Sequence, residues 1–503
     1  MATQFPGPGA GRARVHRDVE PLGKLRTKIV ATVGPASRDP DTLRAMVAAG
    51  VDVFRLNFSH GTQEEHAASL REIRSIAETE GIALGVLQDL AGPKIRLGAI
   101  PGDEVACRLD DEFTLVEDRS GDDPRQLTCT YHELPRDLQP GELVLFADGA
   151  VAMEVTRVEG TTAHLRVTLA GHLRSHQGLN LPGTALNVKA LTDKDLRDLD
   201  WTAQHVVEYV GQSFVRSAGD VAWLRRELQA RGIHARIVAK IEKPQAVNAL
   251  DAILAEADAV MVARGDLGVE MDVARVPAIQ KQVIAACNSV RLPVITATQM
   301  LNSMETSSRP TRAEASDVFN AVLDGTDALM LSGETAIGAY PVDAVATMSR
   351  IAGEAEKLLF ASSLAQALGP SEAATGKGRA GWIAPITQSV VEAASLVGLR
   401  LNAALVVVAT QSGRTALALS KQRHATPTLA LASDAGVVRS MALYWGVTPL
   451  YFPELGDSMR SMSFALDWAR ARSLVQRGDR VVLVRGTMVG NPAHNALLVQ
   501  EVV

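Results

Sequence analysis

Two stretches of the sequence, ARIVAKIE at 235–242 and VMVARGDLG at 260–268, are apolar, β-branched runs of strand length that end in charge. Because side chains alternate along a strand, Lys240 and Glu242 share one face of the first run, and Asp266 follows the second. The carboxyl ends of barrel strands carry chemistry, and two carboxylates with an ammonium suit Mg²⁺ and a phosphate group. The two runs together predict a metal site at strand ends; a surface ion pair beside an Asp-Gly turn is the alternative.

The composition predicts a soluble chain of roughly three or four domains. Of 503 residues 47% are hydrophobic, and the net charge is −6. With 4% aromatic residues and no basic excess, no nucleic-acid partner is expected. Three widely spaced cysteines indicate a reducing compartment. Residues 1–23 are an expected flexible tail without the apolar core of a signal peptide, and no run reaches the ~20 apolar residues of a membrane span, so we expect a cytoplasmic protein with no membrane partner.

Alternating strands and helices begin at Lys28 and are interrupted once. Between residues 93 and 192 short runs broken by Gly, Pro and Asp predict an inserted β domain. The eight strands predicted outside it are Lys28–Val33, Val51–Phe58, Ile82–Asp89, Val206–Phe214, Ile237–Glu242, Ala259–Ala263, Pro293–Thr298 and Asp327–Ser332. The fold class is therefore α/β: a TIM (β/α)8 barrel at 24–92 and 193–358, with a small β-barrel lid domain inserted after the third strand.

Polar side chains stand at the carboxyl end of nearly every predicted strand. They are Arg55, Asn57, Asp89, Ser213, Lys240, Glu242, Arg264, Asp266, Thr298, Gln299, Ser332 and Glu334. An ordinary core strand needs no charge at its end, so this rim is the predicted active site. Phosphoryl transfer needs positioning and charge neutralisation. Mg²⁺ on Glu242 and Asp266, with Lys240 and Arg55 as cations, would supply both, and the backbone amides of 264–266 could receive a carboxylate.

The rest of the chain predicts a linker at 359–382 and a C-terminal α/β regulatory domain at 383–503. The linker spells GxGxxG at 376–381, but no strand precedes it, which argues against a dinucleotide site. In the C-terminal domain a strand at Ala403–Ala409 runs into residues 410–415, here called the SGRT loop, which offers a phosphate cradle. The candidate phosphate ligands are Thr410, Ser412, Gly413, Arg414 and Thr415. A plain helix cap is the alternative for the serine.

Eight ordered motifs closely resemble those of the pyruvate kinase family. They are TKIVAT at 27–32, RLNFSHG at 55–61, GPKIR at 92–96, KIE at 240–242, MVARGDLG at 261–268, ATQM at 297–300, RPTRAE at 309–314 and LSGETA at 331–336. The resemblance runs from Lys24 to the C-terminus, lid included. It implies phosphoryl transfer from phosphoenolpyruvate to ADP, giving pyruvate and ATP in the last step of glycolysis. It also implies Mg²⁺ or Mn²⁺ as cofactor, a homotetramer and allosteric control.

The same resemblance implies roles for particular residues. The implied roles are Mg²⁺ ligands for Glu242 and Asp266, phosphoryl contacts for Lys240 and Arg55, enolate or substrate contacts for Thr298, Ser213 and Gly265, and nucleotide contacts for Asn57, His60, Arg96 and Lys194. Thr298 would help relay, through water, the proton that converts the enolate to pyruvate, while capping the next helix is its structural alternative. The Gly92-Pro93 pair suits a hinge for lid closure.

Two departures from the common family pattern affect the expected ligands. Many members bind K⁺ through residues matching Asn57, Ser59 and Asp89, with a Glu where this chain has Lys94. An ammonium there would replace the bound ion, so K⁺ is not expected to be required. GTMVGN at 486–491 lacks the Trp and Arg that help hold fructose 1,6-bisphosphate in some members, which favours a sugar monophosphate effector.

Two other functions stay open on the sequence alone. A Mg²⁺-dependent lyase acting on pyruvate enolates would use similar carboxylates, although it would not explain the lid or the C-terminal domain. A metabolite sensor without catalysis would have lost Lys240, Glu242, Asp266 or Thr298, and all four are present.

Overall fold

The structure is a computed structural model that describes residues 25–147, 149–182, 188–367, 383–455, 458–485 and 495–503. The expected tail at 1–23, the GxGxxG stretch and GTMVGN lie outside the described residues. Within the described part of the chain, every helix is too short or too polar to cross a membrane.

Eight parallel strands close into a barrel, which confirms the predicted fold. In the order in which they neighbour one another they are Lys28–Val33, Ala328–Leu331, Val294–Ala297, Ala259–Ala263, Arg236–Ile241, Tyr209–Gln212, Gly85–Asp89 and Val53–Asn57. Several are shorter than predicted. The Val206–Phe214 run forms a strand only at its centre, because Val206 is exposed and Phe214 turns the chain away with a φ of 56°.

Helices connect these strands and cover the barrel. They are Pro40–Ala49, Gln63–Glu80, Asp193–Gln204, Ala218–Ala230, Pro244–Asn248, Leu250–Glu256, Arg264–Glu270, Val276–Ser289, Arg312–Leu323, Gly333–Ala336 and Pro341–Ala367, with 3₁₀ turns at Val273–Arg275 and Asn302–Glu305. Reciprocal caps, in which a hydroxyl and an acid three residues later each accept the other's backbone N–H, begin the helices after Thr62, Thr192, Ser217 and Thr311. These caps satisfy amides that the first helical turn leaves free.

The chain leaves the barrel after Asp89 and builds two sheets before it returns. The six-stranded sheet has the order Leu179–Asn180, Leu143–Phe146, Val151–Glu159, Thr162–Leu169, Glu112–Val116 and Gln126–Leu127, and the two-stranded sheet pairs Gly171–Arg174 with Glu104–Cys107. A short helix at Leu134–Asp137 packs beside them. A separate hydrophobic core, with Phe113 and Phe146 fully buried, stabilises this inserted region independently of the barrel core.

The C-terminal region forms a five-stranded sheet. Its order is Val447–Tyr451, Thr428–Ala432, Leu405–Ala409, Arg480–Arg485 and Ala496–Glu501, the last pair being antiparallel. The helices are Pro385–Arg400, Arg414–Ser420, Ala435–Ser440 and Ser458–Ala471, with a 3₁₀ turn at Met441–Leu443. Sequence reasoning did not identify the two outer strands, Val447–Tyr451 and Ala496–Glu501; Pro449 is tolerated in the first because that strand is at the sheet edge.

The C-terminal region closes the amino-terminal end of the barrel. Ala442 and Leu443 pack into the interior cluster of barrel side chains. Beside them the Lys421 ammonium lies 2.6 Å from the Asp327 carboxylate, and both side chains are almost fully buried. The carboxyl ends of the strands therefore stay free on the opposite side, where the inserted sheets stand.

Candidate active site

Asp89 is the centre of a buried charge cluster at the carboxyl end of the barrel. Its carboxylate lies 2.7 Å from the Arg55 guanidinium and 3.3 Å from the Lys240 ammonium, and Asp89 is 1% exposed. Burial alone would raise the pKa of Asp89, but the two cations outweigh it and lower that pKa. The strands Val53–Asn57 and Gly85–Asp89 are neighbours, which places Arg55 and Asp89 side by side. Asp89 is thus a fixed anion that orients two cations.

The Lys240 ammonium makes three contacts inside the barrel mouth. Besides Asp89 it lies 2.8 Å from Glu242 Oε1 and donates to Ser213 Oγ at 2.7 Å. The Ser213 hydroxyl in turn donates to the Leu90 carbonyl at 2.8 Å. Burial lowers the pKa of Lys240, yet the carboxylates of Asp89 and Glu242 more than compensate, and the pKa rises above its ordinary value. Lys240 is therefore a permanently charged, well-oriented cation.

Glu242 directly follows one barrel strand, and Asp266 lies in the first turn of the helix that follows the neighbouring strand, within electrostatic range of Glu242. Glu242 Oε2 accepts from the Phe214 amide at 2.8 Å. Burial raises the pKa of Glu242; Lys240 lowers it, and the Asp266 carboxylate raises it again. Asp266 accepts no hydrogen bond from the residues that the structure describes. Two neighbouring carboxylates whose negative charges repel each other, one of which accepts no hydrogen bond from the described residues, are suitable ligands for a divalent cation.

The protein supplies only part of a metal shell. Among the described residues no group of three or more His, Cys, Asp or Glu side chains surrounds one point. A divalent ion between Glu242 and Asp266 would take its other ligands from substrate oxygens or water, as Mg²⁺ commonly does.

Thr298 adopts a strained backbone at the next strand end. Its φ is 70° and that of Gln299 is 54°, a region that β-branched residues rarely enter. Thr298 Oγ1 accepts from the Gly265 amide at 2.7 Å and donates to the Ala297 carbonyl at 2.6 Å. The Gly265 amide, expected to receive a carboxylate, is therefore already engaged. Thr298 as a cap for the next helix is wrong, because the following 3₁₀ turn begins after Leu301 without a side-chain cap.

Residues expected on the nucleotide side lie between the barrel and the inserted sheets. His60 is exposed overall. Partial burial of its ring lowers its pKa, and the positive charges nearby, among them Arg96 and Lys94, lower that pKa further. The Lys194 ammonium is bound by Asp198 at 2.6 Å. The structure thus brings His60, Arg96 and Lys94 within electrostatic range of one another, and Lys194 reaches the same loop by donating to the Phe58 carbonyl at 2.7 Å.

Two of the side chains expected at a monovalent-cation site, Asn57 and Asp89, already have partners within the protein. Asn57 Oδ1 accepts from the Ser59 amide at 3.1 Å. The Asp89 carboxylate is neutralised by Arg55 and Lys240. Little negative charge is left to attract a second cation at this place.

Asp195 joins the two segments that connect the barrel to the inserted sheets, one at Gly92 and the other at Thr192. The side chain is fully buried; Oδ1 accepts from the Gly92 amide at 3.1 Å, and Oδ2 accepts from the amide and hydroxyl of Thr192 at 2.8 and 2.7 Å. Gly92 has a φ of 65°, and a Cβ there would lie 2.9 Å from the Phe214 ring. Thr192 followed by Asp195 three residues later is a pattern typical of a helix cap, but the contact of Asp195 with Gly92 appears only in three dimensions.

Some polar groups of the SGRT loop already form hydrogen bonds within the loop. The Gly413 amide donates to Thr410 Oγ1 at 3.1 Å, and the φ of Gly413 is 78°. Ser412 and Arg414 are exposed, whereas Thr410 and Thr415 are buried. The following helix begins at Arg414 with Gly413 at the N-cap position and has no side-chain cap, so the alternative of Ser412 as a helix cap is wrong.

Two contacts near the rim had no signal in the sequence. Arg264 Nη1 bonds the carboxylate of Asp317 at 2.7 Å, on a helix far along the chain. Glu270 is buried beside Lys243 and accepts from Asn180 of the inserted sheet at 3.2 Å. Both depend on tertiary packing alone.

The fold is a closed (β/α)8 barrel, and its rim carries neighbouring carboxylates, a buried ammonium and a hydroxyl held by a strained backbone. These features are those of a phosphotransferase built on a TIM barrel. The family model "Pyruvate kinase, barrel domain" matches residues 24–345, and "Pyruvate kinase, alpha/beta domain" matches residues 388–500. The chain belongs to the pyruvate kinase family, and it is a transferase of that type.

Individual relatives agree with the family models. "Pyruvate kinase 2" of Synechocystis sp. is 41% identical over 489 residues, which cover 95% of this chain and 79% of the relative. A pyruvate kinase of Agrobacterium vitis is 41% identical over 465 residues, covering 92% of this chain and 95% of the relative. The crystal structure of a pyruvate kinase from Cryptosporidium parvum superposes with a TM-score of 0.87 at 32% identity, covering 95% of this chain and 96% of that one.

Proposed function

We propose that the rim transfers the phosphoryl group of phosphoenolpyruvate to ADP with Glu242 and Asp266 as the protein ligands of Mg²⁺ or Mn²⁺. The buried Lys240 ammonium, 2.8 Å from Glu242 and 3.3 Å from Asp89 at the barrel mouth with Asp266 within electrostatic range, is the observation that carries the proposal. When bound, the ion neutralises charge on the phosphate and carboxylate of the substrate. In the reaction the bond from phosphorus to the enol oxygen breaks, a bond from phosphorus to a terminal oxygen of ADP forms, and the enolate takes a proton at its methylene carbon.

Lys240 and Arg55 hold the group in transfer. Both are kept charged and oriented by Asp89, so no reorganisation is needed when charge develops on the phosphoryl oxygens. Ser213 fixes the ammonium from the other side. Removing either cation leaves the buried Asp89 carboxylate with one cationic partner in place of two, which predicts a loss of both activity and stability.

Thr298 holds a proton near the enolate. Its hydroxyl is oriented by the Gly265 amide, and Oγ1 is the proton donor toward Ala297 in the absence of substrate. A threonine hydroxyl is a weak acid, so its part is to relay a proton from water rather than to supply one alone. Gly265 serves the substrate site indirectly, through this hydrogen bond.

We further propose that K⁺ is not required. Asp89 is already paired with two cations, and Lys94 lies close enough to His60 to lower the pKa of that residue. A fixed ammonium and a bound monovalent ion have similar electrostatic effects at such range.

The SGRT loop is proposed as the site of a sugar monophosphate effector. Exposed Ser412 and Arg414 offer a hydroxyl and a guanidinium for a phosphate group, on either side of the buried Gly413. Family membership and composition support a cytoplasmic homotetramer, which size measurement in solution would test.

A coupled assay tests the main proposal. Pyruvate and ATP are measured separately after mixing the protein with phosphoenolpyruvate, ADP and Mg²⁺. We expect both products in equal amounts, and a loss of kcat of at least about 100-fold in Lys240→Met. Lys281→Met, which removes a lysine with a 62% exposed side chain, is the matched control and should retain activity. Pyruvate without ATP would mean that the phosphoryl group passes to water and not to ADP, and either that result or the absence of both products would overturn the proposal.

A further inference from the structure

Arg264 lies at the rim, and its guanidinium points away from the substrate space. The residue follows the strand Ala259–Ala263 and is the first of the helix Arg264–Glu270. Its side chain is only 10% exposed. Every one of its nitrogens contacts a protein acceptor, so it has no free donor to offer a phosphate or carboxylate of the substrate.

The backbone acceptors of Arg264 belong to one short segment, residues 297–299. Nη2 donates to the Thr298 carbonyl at 2.8 Å and lies 3.5 Å from that of Gln299, while Nε lies 3.4 Å from the Ala297 carbonyl. Nη1 is anchored by Asp317 at 2.7 Å. A planar guanidinium presents donors in a fixed fork, so it can hold successive carbonyls in one arrangement.

The segment that Arg264 holds is the strained one. In the part of the chain that the structure describes, Thr298 and Gln299 are the one place where two adjacent non-glycine residues have positive φ. Such a backbone is unfavourable and persists only where the surroundings enforce it. The turn points Thr298 Oγ1 toward the Gly265 amide, directly after Arg264 in the chain. The same helix end therefore fixes the backbone and the hydroxyl of Thr298.

We propose that Arg264, anchored by Asp317, is a positioning residue that enforces the strained conformation of Thr298 and so sets the geometry of proton delivery to the enolate. The proposal rests on the proposed function of the rim. Without the fork the turn relaxes toward ordinary backbone angles, and the hydroxyl moves away from the reacting carbon. A misplacement of about 1 Å can slow a reaction about 100-fold.

The test separates proton transfer from phosphoryl transfer. Exchange of the pyruvate methyl protons in D₂O, with Mg²⁺ and inorganic phosphate present, breaks a C–H bond and forms a C–D bond with no net redox change, and NMR follows it directly. We expect Arg264→Gln to slow this exchange and kcat by about 10- to 100-fold, with KM for phosphoenolpyruvate and the half-saturating Mg²⁺ concentration changed less than about 3-fold. Asp317→Asn should give a smaller loss of the same kind.

A double-mutant cycle distinguishes positioning from a general structural role. In a Thr298→Ala background, Arg264→Gln should slow exchange by less than about 3-fold, because the group it positions is gone. Arg225→Gln, which removes an arginine bonded to Asp258 and the Glu256 carbonyl, is the matched control and should leave exchange unchanged.

Several outcomes would overturn the inference. These are undiminished exchange in Arg264→Gln, an equal loss with and without Thr298, or a change confined to the Mg²⁺ requirement. If Arg264→Gln does not fold, Asp317→Asn and its cycle with Thr298→Ala decide the question. A wild type that forms no pyruvate from phosphoenolpyruvate and ADP would refute the proposed function instead, and so is distinguishable from failure of this inference.

Discussion

Replacing Asp89 by Asn tests whether the rim is a charge-balanced unit. The substitution keeps the shape of the side chain and removes only its charge. Lys240 and Arg55, whose side chains are each 11% exposed, then share a buried space with a neutral amide. We expect a large loss of stability around these strands, together with a loss of activity because the two cations repel each other.

The magnitude follows from burial rather than from distance. Removing one partner of a buried ion pair costs about 3–5 kcal/mol. The exposed pair of Asp41 and Arg44 has a similar separation of 3.1 Å, but Asp41 has a 95% exposed side chain, and such pairs contribute about 0–1 kcal/mol. Asp41→Asn is therefore a control with the same chemistry and the same kind of partner.

Amide hydrogen exchange measures the effect locally, which suits a chain of several folded units. In Asp89→Asn the amides of Val53–Asn57 and Arg236–Ile241 should exchange at least about 100-fold faster, since 1.4 kcal/mol corresponds to a factor of ten. In Asp41→Asn the same amides should change less than about 5-fold. Equal behaviour of the two variants would refute the view that burial makes Asp89 the anchor of the rim.

The rim, the hinge and the SGRT loop each give one more prediction. The wild type should be fully active in K⁺-free buffer with Mg²⁺, and Lys94→Glu should acquire a K⁺ requirement because the fixed ammonium is lost; a strict K⁺ requirement of the wild type would contradict this. Asp195→Asn should lower kcat about 3- to 10-fold and speed amide exchange at 90–94 and 190–194. The substitution weakens the hydrogen bonds that join the segment at Gly92, where the chain leaves the barrel, to the segment at Thr192, where it returns. Asp220→Asn, at a matching cap without a hinge contact, should do neither, and equal effects would make Asp195 a helix cap only. Ser412→Asp should abolish activation in titrations with several sugar phosphates without changing basal activity, because it places negative charge where a phosphate would bind; an intact response would locate the effector elsewhere.

The sequence predicted the barrel because its evidence is local. Each strand is an apolar run, most of them with a polar end, and several helices follow a capping residue, so counting units along the chain yields eight strands and one interruption. The rim follows from the same count, since parallel strands bring their carboxyl ends to one side. The missed edge strand at Val447–Tyr451 shows the limit: whether a proline is tolerated depends on which strands become neighbours.

Contacts between distant segments were decided only by the tertiary structure. Asp195 looks like a helix cap in the sequence. Its hydrogen bond with the Gly92 amide exists because the segment that leaves the barrel lies beside the segment that returns to it. Arg264 looks like one more rim charge, and only folding directs it to the Thr298 carbonyl and to Asp317.

By itself, the sequence determined the periodicity, the order of strands and the residues that end them, because these depend on neighbours along the chain. Barrel closure joins Lys28–Val33 to Ala328–Leu331 and so sets which of those ends meet. Distances, pKa shifts and the strained backbone of Thr298 arise from that closure, since burial and through-space charge have no local signature.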